Sequence, residues 1–344
     1  MNIAEAREAA RMWVLEHASQ IPGFHGAWIA GSTNHLPDDE EFPATSDIDI
    51  MIVIDNDAPL IKPGKFLFRG VLLEVSSLSR GDIATPEQVL GHYHLAGSLG
   101  SGIVIADPHE DLTGLQAEVV RSFPERRWVE QRVAQAHQTV LNRVDAVEGQ
   151  PDFAEQVMSW LFAAGGVPHI LLVAGLRNPT VRKRYIAARD MLQDFGCQSL
   201  YPDMLALLDP VGMTPGRVSH HLDILEGVFD EAATFIKSPF FFAADLSTAG
   251  RAVAIDGSRE LIALGNHREA IFWIVATFAR CQIVFHTDAP DSAADAWDDA
   301  FAGLLLDLGI RSPGDLHRRG DDIRAFLPRV MTVAGHIMDE MTAS

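Results

Sequence analysis

Hydrophobic periodicity divides the chain into two stretches of different character. From Ile3 to His17 the apolar positions Ala6, Ala9, Ala10, Trp13 and Val14 recur at helical spacing. Ile21-Pro22-Gly23 breaks that helix, and Ala27 to Ala30 reads as a short strand that ends in a turn at Gly31-Ser32. The loop from Thr33 to Thr45 carries the prolines Pro37 and Pro43 and the acidic run Asp38 to Glu41, the pattern of a solvated loop. Ile48 to Ile54 is rich in β-branched residues and predicts a strand, closed by Asp55-Asn56-Asp57. Pro63-Gly64 marks a turn and Lys65 to Phe68 a further strand. Arg69-Gly70 then reads as a hairpin turn into Val71 to Val75, which is apolar except at Glu74. Thr85 to His94 predicts a helix with Thr85 as its cap and Pro86 at its first position, and Ile103 to Ala106 a strand closed by Asp107-Pro108.

Beyond Leu112 the pattern turns helical. Candidate helices run from Leu112 to Arg121, Trp128 to Val147, and Phe153 to Ala174 in one piece or two, since Gly165-Gly166 and Pro168 interrupt it. Others run from Pro179 to Phe195 with Gly196 as the stop, Thr214 to Phe235, His267 to Phe285, Ser292 to Leu308 and Ile323 to Met341. Ser238 to Gly257 reads as irregular. Strands followed by helices predict an α+β protein, a mixed N-terminal sheet with flanking helices and then an all-helical region. The expected division is 1–115, 116–240 and 241–344.

The 344 residues are enough for two or three domains. Two cysteines, Cys197 and Cys281, are too few for a disulfide scaffold and point to a reducing, cytoplasmic setting. The first residues show no signal-peptide core, and no uninterrupted apolar run reaches the ~18 residues of a membrane span, so no membrane partner is expected. The formal charge of −20 argues against a general nucleic-acid binder and permits attraction of a small cation, although plain solubility explains it as well.

Charge at particular positions says more. Asp47 and Asp49 stand two apart at the mouth of a strand, so their side chains point to one face. Glu74 interrupts a second strand that would neighbour the first. Three carboxylates so placed can hold one or two Mg²⁺ ions. A pair of such ions would clamp the attacking and leaving oxygens of a phosphoryl displacement. Gly31-Ser32 supplies a turn whose backbone can approach phosphate oxygens closely. The plainer readings are solvated acids beside a core strand for Asp47 and Asp49, and a salt bridge to Arg69 or Arg80 for Glu74.

The order G-S, loop, S-D-I-D, apolar strand, single carboxylate resembles the nucleotidyltransferase superfamily of DNA polymerase β. The layout with trailing helices is similar to the aminoglycoside nucleotidyltransferases. The resemblance implies that Asp47, Asp49 and Glu74 bind Mg²⁺ and carry catalysis, with Glu74 the first candidate for the base. It implies that Gly31, Ser32 and Ser46 contact a nucleoside triphosphate. It makes 1–115 the catalytic domain, 116–240 a helical domain closing the cleft, and 241–344 a helical extension. The match covers the first third of the chain; the loop between Ser32 and Ser46 is longer than in the family, and Asn34-His35 departs from its usual pattern.

A cationic run, Arg177 to Arg189, stands out in so acidic a chain. Arg182 and Lys183 are candidates for the β and γ phosphates, against a solvated helix start that pairs with Asp190 and Asp194. The histidines show no ligand spacing, and Phe240-Phe241-Phe242 reads as core. The implied function is transfer of AMP from ATP to a hydroxyl of a small, cationic acceptor such as an aminoglycoside. The alternatives are modification of a protein or RNA, and non-catalytic nucleotide binding. The last hundred residues could extend the helical domain, line the acceptor pocket or form a homodimer interface.

Overall fold

The computed structural model describes residues 1–55, 63–209 and 211–343. Asn56 and Asp57, expected to close the second strand, lie outside the described residues. The protein is α+β, with a mixed five-stranded sheet and its helices followed by a helical region. The chain forms two compact units, residues 1–135 with 176–179, and residues 136–175 with 180–344.

The first unit is built on strands β1 (Phe24–Ala30), β2 (Ile48–Ile54), β3 (Gly64–Phe68), β4 (Val71–Ser79) and β5 (Ile103–Ala106), in the order β3-β4-β2-β1-β5. β2 and β4 run parallel; the other neighbours are antiparallel. The alternation of β2 explains the layers. Ile48, Ile50, Ile52 and Ile54 face helix α1 (Ile3–Glu16), whose Ala6, Ala10, Trp13 and Val14 complete that core. Met51 and Val53 face the other way, toward α2 (Pro86–Gly91), α3 (Leu95–Gly100) and α4 (Asp111–Ser122), through Val89, Leu90, Leu99, Leu112 and Val119.

The cap at the start of α1 is complete. The Asn2 side chain accepts from the Glu5 N–H while the Glu5 carboxylate accepts from the Asn2 N–H. Two further N–H groups of this first turn, from Ile3 and Ala4, donate to the carbonyls of Glu40 and Asp38 at 2.9 and 3.0 Å. The acidic loop therefore keeps its carboxylates largely exposed, Asp38 pairing with Arg7 of α1, while its backbone docks on the helix start, where carbonyl dipoles are favoured.

Helix α5 (Arg126–Asp145) carries the chain from the first unit into the second. The second unit contains α6 (Phe153–Ala164), α7 (Val167–Ala174), α8 (Arg184–Asp194), α9 (Tyr201–Ala206), α10 (Pro215–Phe235), α11 (Gly257–Ala263), α12 (His267–Asp288), α13 (Asp291–Asp307) and α14 (Pro313–Ala343). Its axis is α12, buried nearly all round from Glu269 to Phe285 and packed against α6, α10, α11 and α13. The stretches Phe153–Ala174 and His267–Asp288 are long and apolar enough to cross a membrane, but 78% and 83% of the apolar 18-residue window in each is buried inside the protein. Their apolarity is that of core helices.

Two helix starts differ most from the pattern. The helix expected from Pro179 begins at Arg184, because the carbonyls of Thr180 and Val181 accept from His169 Nε2 (2.9 Å) and Arg184 Nε (2.6 Å) instead of from helical N–H groups. The last helix begins at Pro313, ten residues before the expected Ile323, and runs through Pro328.

Candidate active site

Strand register assembles the site. Asp49 on β2 stands directly opposite Glu74 on β4, and Glu74 stands directly opposite Lys65 on β3. On the far side Asp49 is paired with Ala30 of β1. One row across the sheet therefore reads Ala30, Asp49, Glu74, Lys65, with side chains on the face away from α1. Asp47, immediately before β2, joins this row. Ligand oxygens of Asp47, Asp49 and Glu74 lie within 4.8 Å of one another, and all three residues are half-buried.

The turn after β1 fits against this row. Gly31 adopts φ 84°, ψ −172°, a conformation open in practice to glycine alone. A Cβ there would overlap Asp49 Oδ2 and lie 3.1 Å from its Cγ. The glycine thus lets the backbone reach the carboxylate. Ser32 follows at the start of a single helical turn, exposed and beside the row. Asn34 fixes that turn by donating to the carbonyls of Ile29 (2.8 Å) and Ser101 (3.2 Å). Asn34 is thereby a structural tie between this turn, β1 and the end of α3. Arg7 holds the next stretch, donating to the carbonyls of Thr33 (2.6 Å) and Leu36 (3.0 Å). Ser46 closes a turn onto the Pro43 carbonyl (3.0 Å) and delivers Asp47 to the strand.

The cation at Glu74 is Lys65, and neither Arg69 nor Arg80 fills that place. Its ammonium bonds both Asp47 and Glu74, and its side chain is only 5% exposed. The two arginines considered for Glu74 are engaged elsewhere: Arg69 with Glu16 at 2.7 Å, and Arg80 with Asp111 at 3.3 Å. The signal was present in the hairpin. Arg69 (φ 50°) and Gly70 (φ 83°) form a two-residue turn of the primed type, and counting back from Phe68 opposite Val71 places Lys65 opposite Glu74.

The donor set suits a hard divalent cation, because every candidate ligand is a carboxylate oxygen. Three carboxylates against one ammonium leave a formal charge of −2. Asp47, Asp49 and Glu74 are the residues that would hold such an ion.

The cationic run is shared between the units. Arg177 belongs to the first and Arg182 to Arg189 to the second. There Arg184 is buried, its guanidinium 4.0 Å from the Phe272 ring and bonded to the Gly165 carbonyl at 2.9 Å. Arg189 bonds Asn266 (2.9 Å) and the buried Glu269 (3.2 Å). Arg182 lies against Gly257, and Lys183 is exposed at the start of α8. Among the histidines, His25 at the opposite end of β1 bonds Asp111 at 2.7 Å and stacks on His109.

No protein-family model matches the chain, and no curated protein matches it. Among solved structures it is similar to a nucleotidyltransferase-like protein from Exiguobacterium sibiricum 255-15. The identity is 11%, the alignment covers 88% of this chain and 78% of that one, and the TM-score is 0.31. Likeness at that level carries no weight, and the functional reading rests on the residues themselves.

Proposed function

We propose that the protein is a metal-dependent nucleotidyltransferase that moves a nucleoside monophosphate, AMP from ATP, to a hydroxyl of a small cationic acceptor. The observation that carries the proposal is the convergence of Asp47, Asp49 and Glu74 on one face of the sheet, with Gly31 packed against Asp49. A bound Mg²⁺ would supply charge neutralisation for the triphosphate and the developing pyrophosphate. The carboxylates hold the cation, and the exposed turn at Gly31-Ser32 offers a hydroxyl and backbone N–H groups to phosphate oxygens. The acceptor oxygen bonds to the α-phosphorus as the bond to the pyrophosphate oxygen breaks, and the hydroxyl proton passes to a carboxylate of the site, Glu74 being the first candidate. The net charge of −20 supports a cationic acceptor by long-range attraction.

The test is pyrophosphate release from ATP and Mg²⁺ with aminoglycosides, other hydroxyl metabolites, proteins and tRNA as acceptors. Release with a small polycation is expected, and Asp47→Asn with Asp49→Asn should lower it at least about a hundredfold. Release only with a protein or with tRNA would move the acceptor assignment to that class. If calorimetry shows no ATP–Mg²⁺ binding, or the double variant binds as well as the parent, the metal-site reading is wrong.

A further inference from the structure

We propose that Lys65 is a resident cation of the carboxylate site, restricting it to one divalent ion and weakening that ion's binding. The inference rests on the metal-site reading above and deepens it.

Three observations carry it. Lys65 comes from a strand that contributes none of the three carboxylates, and register puts it directly across from Glu74. Its ammonium lies between Asp47 and Glu74, bonded to both. Its side chain is 5% exposed, so the charge is held inside the site and away from solvent. A lysine usually keeps its ammonium in water while its methylene stem packs. Here the stem and the charge are both enclosed, which costs several kcal/mol without the carboxylates.

Electrostatics then sets the stoichiometry. The carboxylates and ammonium together leave a formal charge of −2, which one divalent ion neutralises. A second would raise the cluster to +2 in a half-buried place, next to the Lys65 ammonium. Lys65 therefore stands in for the second cation of a two-ion arrangement. It acts through Asp47 and Glu74 and is a positioning residue.

Mn²⁺ alone, without nucleotide, is the probe, followed by electron paramagnetic resonance and calorimetry on the full-length protein. The parent should bind one Mn²⁺ per chain. Lys65→Met should bind two, or one at least about tenfold more tightly, since a repelling charge within a few ångströms has gone. Lys65→Arg, which restores the charge, should return to the parent's stoichiometry. A purely structural lysine predicts the reverse, weaker or unchanged Mn²⁺ binding in Lys65→Met. Two Mn²⁺ on the parent overturns the proposal even if Lys65→Met does not fold. An unchanged count and affinity in a folded Lys65→Met overturns it and leaves the metal site standing. Mn²⁺ on neither protein overturns both. One Mn²⁺ on the parent and two on the variant, with no pyrophosphate release for any acceptor, supports the lysine assignment while the transferase reading falls.

Discussion

Gly31→Ala tests whether the Gly-Ser turn and the carboxylate row form one structure. The substitution acts in two ways. Any Cβ at φ 84°, ψ −172° stands in a region that costs about 1–3 kcal/mol. It also overlaps Asp49 Oδ2, with Cγ at 3.1 Å and Cβ at 3.4 Å, so either the Asp49 side chain rotates or the turn lifts. The second effect adds about 1–2 kcal/mol, the ordinary cost of overpacking. Gly70→Ala is the internal control. It lies in the same unit with φ 83°, and a Cβ there meets only Met1 Cε at 3.8 Å, so it carries the conformational cost of about 1 kcal/mol alone. Urea unfolding should place Gly31→Ala about 2–5 kcal/mol below the parent, and Mn²⁺ affinity should fall at least about tenfold, whereas Gly70→Ala keeps the parent affinity. Equal stability costs for both variants, together with unchanged Mn²⁺ binding in Gly31→Ala, would refute the close packing of turn and carboxylate.

Arg7→Met keeps the buried stem but removes the guanidinium bonds to the Thr33 and Leu36 carbonyls; a loss of about 1.5–3 kcal/mol and faster proteolytic cleavage within 36–45 are expected, and an unchanged cleavage rate would show that Arg7 does not pin the loop. Burial opposes protonation of His286, but hydrogen bonds and charge from Asp152 and Asp298 outweigh it and hold the imidazolium above its usual range. That interaction stabilises fully below the unfolded-state value near 6.5 and is lost as pH rises through the higher folded value, so Asp152→Asn should flatten the stability–pH curve in that window. Cys281 is fully buried and its thiol is pushed far up by desolvation, whereas Cys197 is partly exposed. A disulfide reagent should therefore label no more than one thiol in the native protein and two in urea, and two rapid native thiols would contradict the burial of α12.

The sheet was legible where chemistry is local. Ile48 to Ile54 alternates its faces and is β-branched, so its limits in the structure coincide with those read from sequence. β4 runs on to Ser79, beyond the expected Val75, because Ser76, Ser77 and Ser79 look like loop residues until the parallel pairing with β2 holds them in register. That pairing is non-local, and no propensity encodes it. The carboxylates were legible as acids interrupting apolar runs. Their counter-charge is not legible from composition, because Lys65 looks like any strand lysine and arginines are the more familiar partners of buried acids. The loop looks solvated in sequence because its acidic side chains are exposed; the carbonyls of Asp38 and Glu40, invisible in composition, attach it to α1 together with the Asp38–Arg7 ion pair.

The hairpin joins the packing of the sheet to its chemistry. Lys65 and Phe66 are neighbours in sequence and point to opposite faces of β3. Phe66 packs on Trp13 of α1, ring centroids 5.2 Å apart, while Lys65 reaches the carboxylates. A slip of one residue between β3 and β4 would turn the ammonium into the apolar layer under α1 and set a phenyl ring against three acids. Either error costs several kcal/mol, a buried charge without a partner being the larger. The two-residue turn at Arg69-Gly70 fixes the register that avoids both. The aromatic core and the charge balance of the carboxylate site thus select the same strand pairing, and neither face can be altered by a register change without disrupting the other.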